Sequence, residues 1–91
     1  MSIAVKIPTI LRPYTDGASE VAVSGATLND ALGSLDARFP GIGTRVIDDE
    51  GRLRRFVNVY VNDDDVRFLE DLATPTPSGT TISIIPAVAG G

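Results

Sequence analysis

Residues 27–41 read TLNDALGSLDARFPG, and this stretch decides the fold because it carries the long helical period of the chain. Leu28, Leu32, Leu35 and Phe39 recur at helical spacing with Ala31 on the same side, so one face is apolar and has to be covered. Thr27 suits the N-cap, its hydroxyl accepting from an amide that the first turn leaves without a partner. Asp30 three residues on resembles a capping box with a shorter acid, and it favours the positive end of the helix. Gly33 costs about 1 kcal/mol relative to Ala in a helix interior, a penalty that close packing of helix on sheet would offset. Pro40-Gly41 stops the helix.

On both sides of this helix the period changes to that of strands. Ile3, Val5 and Ile7 alternate with Ala4 and Lys6 up to Pro8, and Val21 and Val23 resume the alternation after TILRPYTDGAS, whose Pro13 and Asp16-Gly17 are turn signals. The two segments read as a hairpin with a long loop. Ile10, Leu11 and Tyr14 in that loop either fold back on the core or form an exposed contact patch. Beyond the helix, residues 42–47 suit a short helical turn and DDEGRLRR a solvated connection around Gly51. FVNVYVN at 56–62 is the clearest strand, with Val57, Val59 and Val61 on one face and Phe56, Asn58, Tyr60 and Asn62 on the other. That second face suits cross-strand aromatic packing or a surface kept for another protein. NDDDVRFLEDLATPTPSG predicts a tight turn, a short edge strand at Val66 to Phe68 and a Pro-rich loop. TTISIIP supplies the last strand, with Ile82 and Ile84 facing the core.

One helix for one sheet indicates an α+β domain. If the first and last strands pair centrally, a mixed sheet wraps the single main helix in a β-grasp, ubiquitin-like arrangement. Residues 1–86 then form the domain, and 87–91 a flexible C-terminal tail ending in Gly-Gly.

Composition removes much chemistry. Ninety-one residues with 43% apolar and 22% charged content describe one small folded domain, too small for a deep enclosed active site. With no Cys and no His, disulfides, thiolate or imidazole zinc sites, cysteine nucleophiles and Ser/His/Asp relays are excluded. A net charge of −4 disfavours nucleic acid. MSIAVKIPT lacks the layout of a signal peptide, and no apolar run approaches the roughly 18 residues of a membrane span, so a cytoplasmic protein without membrane contact is expected.

The charged runs carry little. Asp63, Asp64 and Asp65 lack the alternating ligands, glycine and distant Glu of a calcium loop, and a solvated turn explains them. Asp48, Asp49 and Glu50 sit beside Gly51 rather than in a cleft, and no metal site is expected. Arg52, Arg54 and Arg55 form the basic cluster, read as a connection whose charges are screened by the acidic run before it, with a docking contact as the alternative. The helix is entered through SGAT, which lacks the glycines and Lys of a phosphate-binding loop.

IIPAVAGG at 84–91 is the distinctive feature. Pro86 ends strand pairing, and Ala87, Val88, Ala89, Gly90 and Gly91 are small residues that extend about 15 Å at roughly 3.3 Å each, suited to entering a partner's channel. Glycines without Cβ atoms let another backbone close around the chain. Gly91 would also offer a free carboxylate, which a partner can turn into an electrophile.

PAVAGG after an Ile-rich strand resembles the ubiquitin-like sulfur carriers of the ThiS and MoaD type. IPTILRP, RFVNVYVNDDDVRF and IIPAVAGG together look like the CysO branch of that family, which carries sulfur for cysteine synthesis. The resemblance spans essentially the whole chain and implies a carrier protein rather than an enzyme. It implies that an E1-like activating enzyme uses ATP and Mg²⁺ to adenylate Gly91, and that sulfur then replaces AMP to give a C-terminal thiocarboxylate. Carrying sulfur on the chain end would also account for the missing cysteines. The implied acceptor is the aminoacrylate made from O-phosphoserine on a cysteine synthase that uses pyridoxal phosphate (PLP), with a metalloprotease freeing cysteine from the tail. The carrier itself would bind no cofactor tightly. Alternatives are the small subunit of molybdopterin synthase, a carrier for a sulfur-containing natural product, and a ubiquitin-like modifier joined through Gly91 to lysines. An interaction domain with an inert tail is the plainest reading.

Overall fold

The computed structural model describes residues 2–55 and 57–86. Alternation along the strands decides the layering. Strand β1 (Ile3–Lys6) pairs antiparallel with β2 (Glu20–Val23), Ile3 opposite Val23 and Lys6 opposite Glu20. Residues 57–61 form β3 (Val57–Val61), followed by a two-residue β4 (Asp64–Asp65) and the last strand β5 (Thr81–Pro86). β5 runs parallel to β1, with Val5 opposite Ile82, and antiparallel to β3, with Val59 opposite Ile84. The sheet order is therefore β2-β1-β5-β3-β4, a mixed sheet with the first and last strands at its centre. One face is the core face: Ile3, Val5, Val21, Val23, Val57, Val59, Val61, Ile82 and Ile84 are all buried there.

Helix α1 (Leu28–Arg38) covers that face with Leu28, Ala31, Leu32 and Leu35. Thr27 caps it as expected, its hydroxyl accepting from the Asp30 amide at 3.3 Å. The Leu28 amide donates to the Thr74 carbonyl at 2.9 Å, tying the Pro-rich loop across the helix start. Phe39 is the C-cap and packs at the core's edge, and Gly41 follows at φ +102°, a left-handed turn out of the helix. A short helix α2 (Gly43–Val46) occupies the predicted turn, and the Asp36 carboxylate joins the two helices by accepting from the Gly41 and Gly43 amides at 3.1 and 2.9 Å. The arrangement is the expected β-grasp.

Three local expectations are corrected, and the two readings of the β1–β2 loop are divided between its residues. Val66–Phe68 is a 3₁₀ turn rather than an edge strand; the edge strand is β4. Asp65 accepts from the Arg67 amide at 2.9 Å, so side-chain capping takes the place of ladder pairing. Gly33 is not a close-packing glycine, for nothing lies within 4 Å of where its Cβ would stand. The β1–β2 loop is an ordered 3₁₀ segment, Thr9–Thr15, and it divides its apolar residues: Leu11 is buried and Tyr14 packs against the core, while Ile10 stays 66% exposed. Asn62, assigned to the outer strand face, instead adopts φ +57° and accepts from the Thr81 amide through its side chain at 3.1 Å.

Candidate functional site

The five tail residues, Ala87, Val88, Ala89, Gly90 and Gly91, lie outside the described residues, as does Phe56. What the fold positions is the tail's root. Pro86 is the last residue of β5, opposite Val57, and its missing N–H suits the end of a ladder. Because β5 is a central strand, its end is flanked on both sides by other elements.

Two open grooves meet at Pro86. One, of about 530 Å³, lies between the 3₁₀ segment, α2 and the start of β3, and is lined by Leu11, Tyr14, Arg45, Arg54, Val57 and Ile84. The other, of about 460 Å³, lies on the β1 side among Lys6, Pro8, Arg12, Ser83 and Ile85. Ile10 borders both grooves, and with Ile85 at 47% exposure it forms an uncovered apolar contact beside the root. Both grooves are open to solvent and share Pro86, the residue that leads into position 87.

Three arginines are set around the root by hydrogen bonds. Arg45 Nε donates to the Tyr14 hydroxyl at 2.6 Å, and its guanidinium carbon stands 5.5 Å from the centre of that ring. Arg54 Nε donates to the Thr44 carbonyl at 2.6 Å, and Arg12 Nε to the Ile7 carbonyl at 3.2 Å.

The structure thus splits the basic cluster read from the sequence. Arg54 reaches the root; Arg52 belongs to the small hairpin closed by the Ile47–Leu53 bridge, and Arg55 lines neither groove. Arg12 and Arg45 were missed, since each is a lone cation in its own segment and only the topology brings the segments together.

The acidic runs stay structural. Asp48 Oδ1 accepts from the Arg52 and Glu50 amides at 3.0 and 2.9 Å. The Arg52 amide is the chief cause that holds this carboxyl below its ordinary range, partial burial opposes it, and the Glu50 amide and the charges of Arg54 and Arg52 add to the lowering. Asp63 and Asp64 are exposed, and Asp65 caps the 3₁₀ turn. Among the described residues no group of three carboxylates could hold a metal ion, and no helix is long and apolar enough to cross a membrane.

The ThiS family matches residues 5–91. The sulfur carrier protein CysO of Mycobacterium tuberculosis is 50% identical over 93 residues, covering all of both chains. A chain in the crystal structure of the Amycolatopsis orientalis BexX/CysO complex superposes with a TM-score of 0.92 at 46% identity, covering 98% of this chain and 99% of that one. Small archaeal modifier protein 3 of Haloferax volcanii is 41% identical over 66 residues, 72% of this chain and 71% of its own.

Proposed function

This chain belongs to the ThiS family and is a small sulfur carrier of the CysO type rather than an enzyme, and from that premise we propose that Gly91 is the point at which sulfur is loaded. The observation that carries the reading is the family match running to Gly91 together with 50% identity over the full length of a named sulfur carrier. The open end of β5 supports it, because a tail rooted at Pro86 between two shallow grooves can leave the body without disturbing the core.

The chemistry is acyl substitution. The Gly91 carboxylate attacks the α-phosphorus of ATP on an E1-like enzyme and releases pyrophosphate, giving an acyl adenylate. A sulfur nucleophile adds to that carbonyl and AMP leaves, which makes the thiocarboxylate. ATP and Mg²⁺ belong to the activating enzyme. The loaded sulfur then adds to the β-carbon of the O-phosphoserine-derived aminoacrylate on a PLP-dependent cysteine synthase while the α-carbon takes a proton. The resulting thioester passes its acyl group to the cysteine amine, and water on a metalloprotease cleaves that amide to release cysteine and the Gly91 carboxylate. Residues 87–90, small and ending in glycine, are the part that these enzymes enclose.

Incubation with the cognate activating enzyme, ATP and sulfide is expected to add about 16 Da at the C-terminus by intact mass, the exchange of one oxygen for sulfur. No gain with an enzyme verified on its own carrier would defeat the assignment. A second reading, a protein modifier, is favoured by the likeness to an archaeal protein named as one. Adducts joining Gly91 to lysines in cell extracts, without thiocarboxylate, are its signature.

A further inference from the structure

Arginines serve this chain in two different ways. Arg67 commits both terminal nitrogens inside the fold, Nη1 to the Asn58 side-chain oxygen at 2.8 Å and Nη2 to the carbonyls of Arg54 and Val57 at 2.9 and 2.8 Å. Arg12, Arg45 and Arg54 are anchored through Nε alone, and among the described residues their terminal nitrogens make no hydrogen bond. An Nε anchor orients the guanidinium plane and leaves its outer N–H groups as a fork that matches a carboxylate.

Charge is also segregated. The chain has 12 carboxylate side chains against 8 cations, yet the two grooves at Pro86 are lined by Lys6, Arg12, Arg45 and Arg54 and by no Asp or Glu. Lys6 stands opposite Glu20 in the ladder, so its charge is locally matched. The three arginines lie in separate segments on both sides of the tail's root, with exposed Ile10 between the grooves. Charges around an apolar contact are the anatomy of a protein interface. A phosphate site would instead converge its donors on one point.

We propose that Arg12, Arg45 and Arg54 form a positive collar that recognises carboxylates on the activating enzyme, set around the mouth of the channel that admits the tail. This rests on the reading that the tail is presented to such an enzyme. Complementary charge at the rim accelerates encounter and orients the carrier so that the tail meets the opening.

The test compares two charge-matched pairs in the mass-gain assay with the cognate activating enzyme, ATP and sulfide. Arg12→Gln/Arg54→Gln removes two collar charges, and Arg38→Gln/Arg52→Gln removes two that line neither groove, so both start from −4 and lose two positive charges. The collar pair is expected to raise the carrier's KM by about 10- to 100-fold at low ionic strength with kcat unchanged, and to approach wild type at roughly 0.5 M salt. The control pair is expected to stay within about twofold. Should the collar pair melt below the assay temperature, the single variants R12Q and R54Q, each expected at about 3- to 10-fold, decide in the same way. Equal effects of the two pairs, or none from the collar pair, overturn the collar while leaving a loading wild type a carrier. A shift in the KM of ATP instead overturns it in favour of nucleotide phosphate. Wild type that never loads defeats the carrier reading and the collar with it.

Discussion

Gly25 and Gly33 flank the start of the same helix and have opposite constraints. A Cβ on Gly25 would stand 2.5 Å from the Ala31 amide nitrogen and 2.8 Å from the Asp30 carbonyl carbon, backbone atoms of the first turn that cannot swing aside. Gly33 faces open space. Gly25→Ala is therefore expected to lose about 2–3 kcal/mol by overpacking, and Gly33→Ala to gain about 0.5–1 kcal/mol from helix propensity and a less flexible unfolded chain. Urea melts of the two variants check both signs, and a destabilised Gly33→Ala would contradict the open site. The sequence contained the second answer. At 100° per residue, position 33 lies about 140° from Leu28, well off the apolar stripe, so the period that names the core also places Gly33 away from it. It did not contain the first, because Gly25 precedes the period and its constraint is a backbone approach that only coordinates reveal.

At the scale of elements, the sheet edge was the part least legible in sequence. Val66, Arg67 and Phe68 alternate in sequence as a strand would, which would set Val66 and Phe68 on one face, yet they form a 3₁₀ turn that buries Val66 and leaves Phe68 88% exposed. Alternation over three residues fixes neither the face that turns to the core nor whether the backbone groups have ladder partners. The deciding residue is Arg67, whose side chain donates to the Val57 carbonyl at the start of β3, to the Arg54 carbonyl before it and to the Asn58 side-chain oxygen, occupying the edge from outside. Arg67→Met is expected to lose about 1–3 kcal/mol, in line with losing charged hydrogen-bond donors to several acceptors, and to speed amide exchange across 57–61. Loss below about 0.5 kcal/mol with unchanged exchange would show that water replaces the guanidinium at no cost. The longer elements were plain, since α1 and the five-residue β3 each have enough positions for the period to be read.

For the molecule as a whole, the central pairing of β1 with β5 is the decisive contact. Hydrophobic alternation in Ile3, Val5, Ile82 and Ile84 identifies their buried face but not their neighbours, so the β-grasp stood in the sequence only as a condition on that pairing. The register Ala4–Thr81, Val5–Ile82 and Lys6–Ser83 supplies it. A chain truncated after Pro86 is expected to keep cooperative unfolding with a midpoint within about 2 °C of the full chain, whereas truncation after Thr80 should remove the transition altogether. A large drop from the first truncation would mean that residues beyond Pro86 stabilise the body. The site divides the same way. The tail was visible as a string of letters, while the arginines around its root come from the three segments at 9–15, 43–46 and 54 and became a group only in three dimensions. Among the described strands the central one is also the last to be synthesised, so a nascent chain on the ribosome holds the strands of the two outer ladders but no middle to join them. The carrier therefore cannot complete its native sheet until translation has passed β5, and partners that require the finished body will ignore unfinished copies.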